Sequence, residues 1–109
     1  MKLRLLPLLS AALLAALPLA APATTSATVH IKNFKFVPAT LSVAAGTTVT
    51  FVNDDQEPHT VTATNKSFDS EGLDTNQKWS HAFTKAGACA YFCEMHPYMH
   101  GTITVKAAQ

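Results

Sequence analysis

The stretch Thr47-Thr48-Val49-Thr50-Phe51-Val52 alternates residue by residue and puts Val49 and Phe51 on one face. A period of two in β-branched and aromatic residues is the signature of a strand with one buried face. Working outward toward the N-terminus, Ala45-Gly46 is a turn and Thr40–Val43 a brief strand. Before them Thr28–Phe36 alternates, with Val29 and Ile31 on one face, until Pro38 interrupts it. Toward the C-terminus, Asn53–Pro58 is a polar loop that ends at His59. Val61 and Ala63 continue from His59 on the same face, so the imidazole points where core residues point. Residues 65–76 form a longer polar excursion containing Gly72. Gln77–Phe83 is the next strand, Lys85-Ala86-Gly87 a turn, Ala88–Cys93 a strand running into a loop, and Gly101–Lys106 the closing strand. Many short strands separated by turn signals, with no convincing helix, predict an all-β antiparallel sandwich.

The first 23 residues stand apart. Lys2 and Arg4 make a short positive region, Leu5–Ala20 is uncharged and almost wholly Leu, Ala and Pro, and Ala21-Pro22-Ala23 is a small-x-small cleavage site. This is the pattern of a secretory signal peptide. The apolar run is short for a bilayer span and carries Pro7 and Pro18, so no stable membrane insertion is expected after cleavage. Residues 24–109 would then be the mature domain, exported to the periplasm. It carries six Lys against seven acidic residues, a net charge of about −1, with no basic patch of the kind nucleic acid requires. Nothing suggests an obligate dimer, and a monomer is expected.

The chemistry gathers near the C-terminus, in Cys93-Glu94-Met95-His96-Pro97-Tyr98-Met99. Singly, these residues would be a core thiol, a surface imidazole and a core filler. Together with His59 they supply one thiolate, two imidazoles and one thioether, the donor set of a trigonal copper site with a weak axial sulfur. Thiolate and thioether favour Cu(I), and imidazole serves both oxidation states, so the mixture suits an ion that cycles between them. Met95 lies between Cys93 and His96, where a tight loop points it outward, which leaves Met99 as the axial candidate. Export places the two cysteines, Cys89 and Cys93, in an oxidising compartment. Four residues apart on one extended strand, their Cα atoms would be about 13 Å apart, whereas a disulfide needs about 7 Å or less. Cys89 is therefore expected to be a buried free thiol. The acidic residues Asp54, Asp55 and Glu57 lack the spacing of a calcium loop and are expected to be a solvated turn. His30 and His100 are expected at the surface, and His81, between Trp79 and Phe83, half-buried.

Three stretches carry a family resemblance: Phe34–Val43 followed by Gly46–Asn53; Pro58-His59-Thr60-Val61; and Gly87 through Cys93 with His96-Pro97-Tyr98-Met99-His100-Gly101. The chain resembles the cupredoxins, the small blue copper proteins, and among them the amicyanin and plastocyanin branch. The two-residue gaps on either side of His96, with Pro97 after it, are similar to amicyanin. The resemblance implies a Greek-key β-sandwich and one type 1 copper held by His59, Cys93 and His96 with Met99 axial. It implies an electron carrier rather than an enzyme, whose redox protein partners dock transiently around His96, Pro97 and Tyr98. The alternative function is a periplasmic carrier or scavenger that hands copper on. The sequence departs from the family at Thr60, where Asn usually braces the two ligand-bearing loops, and at Cys89, where a small residue such as Thr is usual. A second thiol invites comparison with dinuclear copper centres, but Cys89 lies back in the strand, too far from Cys93 to share a metal with it.

Overall fold

The computed structural model describes residues 2–3 and 25–108. The expected signal peptide lies outside these residues. Eight strands form two four-stranded sheets, and the described residues contain no helix. The strands are β1 (Ser26–Lys32), β2 (Lys35–Val37), β3 (Thr40–Ala44), β4 (Thr47–Asn53), β5 (Thr62–Ala63), β6 (Lys78–Phe83), β7 (Gly87–Cys93) and β8 (His96–Lys106). One sheet runs β2-β1-β4-β6 and the other β3-β8-β7-β5. The strands pair antiparallel except for two parallel contacts, β1 with β4 and β3 with β8. These parallel pairs arise because the chain changes sheets rather than folding back as consecutive hairpins, as Greek-key connections do.

The alternation in β4 has the consequence expected of it. Thr47, Val49, Phe51 and Asn53 are buried, and the residues between them only half so. Val29 of β1 and Trp79 of β6 stand opposite Phe51 on either side, giving a row of three side chains across the sheet. The second sheet contributes Tyr91, Cys93, Ile103 and Val105 to the same core. Tyr91 lies over Gly101, where an added Cβ would meet the phenol ring at 2.3 Å, so only glycine allows the ring to lie flat there.

Two elements differ from expectation. Thr28–Phe36 is not one strand. It is a hairpin, with Lys32 paired to Lys35 across a two-residue turn, Asn33-Phe34. Both turn residues have positive φ, 53° and 57°, the left-handed pair that a tight hairpin demands. The closing strand begins at His96 rather than Gly101. The register of β7 against β8 pairs Cys93 with His96 but Phe92 with His100, so Pro97, Tyr98 and Met99 are extra residues on one side of the ladder. Pro97 has no N–H to give the ladder and fits such a bulge.

Candidate metal centre

Two loops at one end of the sandwich bring the donors together. The segment after β4 leaves the first sheet and joins the second at β5, with His59 on the way. Asn53 shapes this passage: its amide donates to the carbonyls of Glu57 and Leu73, and its side-chain oxygen accepts from the Asp55 N–H. A two-strand bridge between His59 and Leu73 fixes the backbone at the imidazole. On the other side, the turn Glu94-Met95 holds Cys93 and His96 as its flanking pair.

His59, Cys93 and His96 present donor atoms that all lie within 4.8 Å of one another. The Cys93 sulfur is 3.7 Å from Nδ1 of His59 and 3.7 Å from Nδ1 of His96. A first-row ion bound at zinc-like lengths, about 2.3 Å to sulfur and 2.0 Å to nitrogen, in a trigonal plane would separate these atoms by about 3.7 Å. The soft thiolate, the two imidazoles and this spacing fit a single copper ion. Met99 is turned inward by the bulge and is 2% exposed, while Tyr98 before it is 67% exposed.

The groups around the donors are as ordered as the donors. Asp55 is buried, not solvated as its sequence context suggests. Its carboxylate accepts a 2.8 Å hydrogen bond from Nε2 of His59, and two more from the backbone N–H groups of Asn33 and Phe34, at 2.7 and 2.9 Å. Burial acts to raise the Asp55 pKa. The N–H groups of Phe34 and Asn33 and the His59 ring outweigh it and hold the carboxyl below the usual aspartate range. With Nε2–H committed to Asp55, the lone pair of His59 is left on Nδ1, the nitrogen that faces the sulfur. Asp55 also holds the turn that carries Phe34, whose ring meets both imidazoles edge-on at 5.3 and 5.0 Å.

Thr60 links the two ligand-bearing loops through both its backbone and its side chain. Its N–H donates to the Cys93 sulfur at 3.3 Å, and its hydroxyl oxygen accepts from the Glu94 N–H at 2.8 Å. The loops bearing His59 and Cys93 are thereby tied directly.

The other candidates fall outside the centre. Cys89 is a free thiol and half-buried, not fully buried as expected. It shares the inward face of β7 with Cys93, and Tyr91 lies between them. Burial pushes its thiol pKa up. His81 stacks on Trp79 at 5.4 Å and packs on Phe68, half-buried as expected, and burial pushes its pKa down. His30 is exposed and pairs with Asp54 at 2.7 Å. Two features of the sequence mark the Asp55–His59 pair and the Asn33-Phe34 turn. Asp55 stands four residues before His59, and the apolar phase slips from odd positions at Val29 and Ile31 to even ones at Phe34 and Phe36.

Comparison with known proteins agrees with this geometry. The model of the cupredoxin-like domain family matches residues 5–105. Amicyanin of Paracoccus versutus is 31% identical over 83 residues, covering 72% of this chain and 63% of that protein; the chain thus spans less than two thirds of that relative's length. A purple cupredoxin from Nitrosopumilus maritimus superposes with a TM-score of 0.69 at 31% identity, over 73% of this chain and 99% of that one. The copper-containing nitrite reductase of Thermus scotoductus superposes at 0.71 and 29% identity over 82% of this chain but only 24% of its own. The chain belongs to the cupredoxin family and is similar, within it, to the amicyanins.

Proposed function

We propose that this protein is an exported, monomeric electron carrier with one copper ion held by His59, Cys93 and His96 and, more weakly, by Met99. The observation that carries the proposal is the Cys93 sulfur standing 3.7 Å from one nitrogen of each imidazole. Copper supplies a one-electron couple. The chain supplies a cage that need not rearrange: Asp55 fixes the tautomer and plane of His59, Phe34 wedges both rings, and the Thr60 N–H partly offsets the charge on the Cys93 sulfur. The two donors from the protein interior, His59 and Cys93, are fully buried, which keeps water from them. Met99, buried three residues after His96, would supply the fourth donor. A site closed by four side chains suits electron transfer better than catalysis, which needs an open coordination position.

Electrons would enter and leave at His96, which is half-buried. Around it Met95, Pro97 and Tyr98 are exposed, an apolar patch suited to brief docking by redox proteins. The leader-like residues 1–23 support export to the periplasm.

The deciding experiment is addition of Cu(II) followed by visible and paramagnetic resonance spectroscopy. An intense thiolate-to-copper band with narrow copper hyperfine splitting is expected, and both should vanish in Cys93→Ser. A colourless complex, or the multi-line signal of a mixed-valence copper pair, would overturn the assignment. Retention of copper through repeated redox cycles against a Cu(I) chelator is expected of a carrier of electrons; rapid surrender would make the protein a carrier of copper.

A further inference from the structure

A chain of hydroxyl groups runs from the metal loop to the surface. The Glu94 N–H, the first amide of the turn between Cys93 and His96, donates to Oγ1 of Thr60 at 2.8 Å. Oγ1 of Thr60 is 3.0 Å from Oγ1 of Thr62, and Oγ1 of Thr62 donates to a carboxylate oxygen of Asp69 at 3.2 Å. Thr60 and Thr62 are buried, and Asp69 is exposed. An ionised carboxylate only accepts, and a hydroxyl has one proton to give. Thr62 commits its proton to Asp69, so Thr60 must commit its own to Thr62, and the lone pairs of Thr60 are left for the Glu94 N–H. The direction of every bond is thus set from the Asp69 end. The backbone holds the same register, since Thr62 bridges Asp69 on one side and pairs with Phe92 on the other. Asp69 is itself anchored by the Glu71 N–H at 2.8 Å.

We propose that Asp69 is a positioning residue for the metal loop, acting through the hydroxyls of Thr62 and Thr60. This rests on the copper reading of the site. Bonds in such a series polarise one another, each acceptor becoming stronger as its own proton is drawn away. The carboxylate therefore tightens the grip of Thr60 on Glu94. Thr60 also donates its N–H to the Cys93 sulfur, so a shift of Thr60 alters the donor that faces the thiolate. A surface charge remote from the donors in sequence thereby sets the geometry at the ligand sulfur. Three side chains, Thr60, Thr62 and Asp69, thus share the cross-loop tie.

The test has two readouts. In the metal-free protein, amide hydrogen exchange at Glu94 is followed by NMR. In the copper-loaded protein, the thiolate-to-copper band and the hyperfine splitting are recorded. Thr62→Val, which keeps shape and loses the hydroxyl, is expected to speed exchange at Glu94 about fivefold, the worth of one ordinary hydrogen bond, and to shift the band. Asp69→Ala, at an exposed position, should move both readouts in the same direction, and Thr62→Ser should restore them. Adding Thr62→Val to Thr60→Val should change neither any further. Exchange at Glu94 matching the parent in both Thr62→Val and Asp69→Ala, or a Thr62→Val effect that persists undiminished in the Thr60→Val background, would overturn the proposal. Absence of a thiolate band in the copper-loaded parent would sink the copper reading instead, and the exchange data would still decide the hydroxyl chain.

Discussion

The two imidazoles of the centre are held in opposite ways. His59 is fully buried, hydrogen-bonded through Nε2 to a buried carboxylate, and sits in a passage stapled by Asn53. His96 begins the second strand of the β7–β8 hairpin, is half-buried, and is braced by ring edges: Phe34 at 5.0 Å and Tyr98 at 6.2 Å. Both present Nδ1 to the same sulfur at the same distance. The difference teaches a division of labour: one side of the site fixes geometry, and the other meets the outside. The electron carrier proposed above would need both, since a site rigid and wholly enclosed would pass no electrons, and one wholly exposed would exchange its ligands with water.

The sharpest way to break this comparison is to remove each ring in turn. His59→Gly and His96→Gly should both lose the thiolate-to-copper band, with copper affinity falling by more than the roughly 100-fold typical of outer-shell changes. Added imidazole should restore the band in His96→Gly, where the gap opens to solvent, and leave His59→Gly unchanged. Rescue of both, or of neither, would erase the distinction between the two sides.

A smaller effect tests the fixed side alone. Asp55→Asn should lower the stability of the metal-free protein by about 2 kcal/mol in urea titration at pH 7, because charge-assisted bonds to His59 and to two backbone amides are weakened together. Folded Asp55 titrates below the ordinary aspartate value of 3.8. Its contribution is therefore complete above that value and is lost as pH falls through the folded one. The gap between parent and Asp55→Asn should accordingly be full near neutrality and close on acidification; a gap that is the same at pH 7 and pH 2.5 would mean the carboxylate is not what Asn fails to replace. The smallest structural effect belongs to the outer side. Tyr98→Ala should leave stability within about 0.5 kcal/mol of the parent and keep the visible spectrum, yet slow electron exchange with a redox partner. Unchanged exchange rates would move the docking patch elsewhere.

The same contrast explains what could be read from the residues alone. Val49 and Phe51 announced their strand because burial of one face leaves a period of two. The donors announced themselves because few other functions gather Cys, His and Met at such intervals. Asp55 did not, because a carboxylate in a polar loop looks the same whether it faces water or an imidazole; only the arrival of the Asn33-Phe34 turn from another part of the chain decides it. Phe34 was hidden for a related reason. A bulky aromatic is a poor choice for a left-handed turn position, and the alternation of the flanking residues runs through it unless the change of phase is noticed. The bulge at Pro97–Met99 depends on register against β7, which no local pattern encodes.

The donors are separated by 34 residues between His59 and Cys93, and they meet only where the crossover from one sheet reaches the last hairpin of the other. A chain with either half unformed has no pocket for the ion. Colour on adding copper therefore doubles as an assay of completed folding: refolding followed at the thiolate band should lag any probe of strand formation, and the lag measures how late the sandwich shuts.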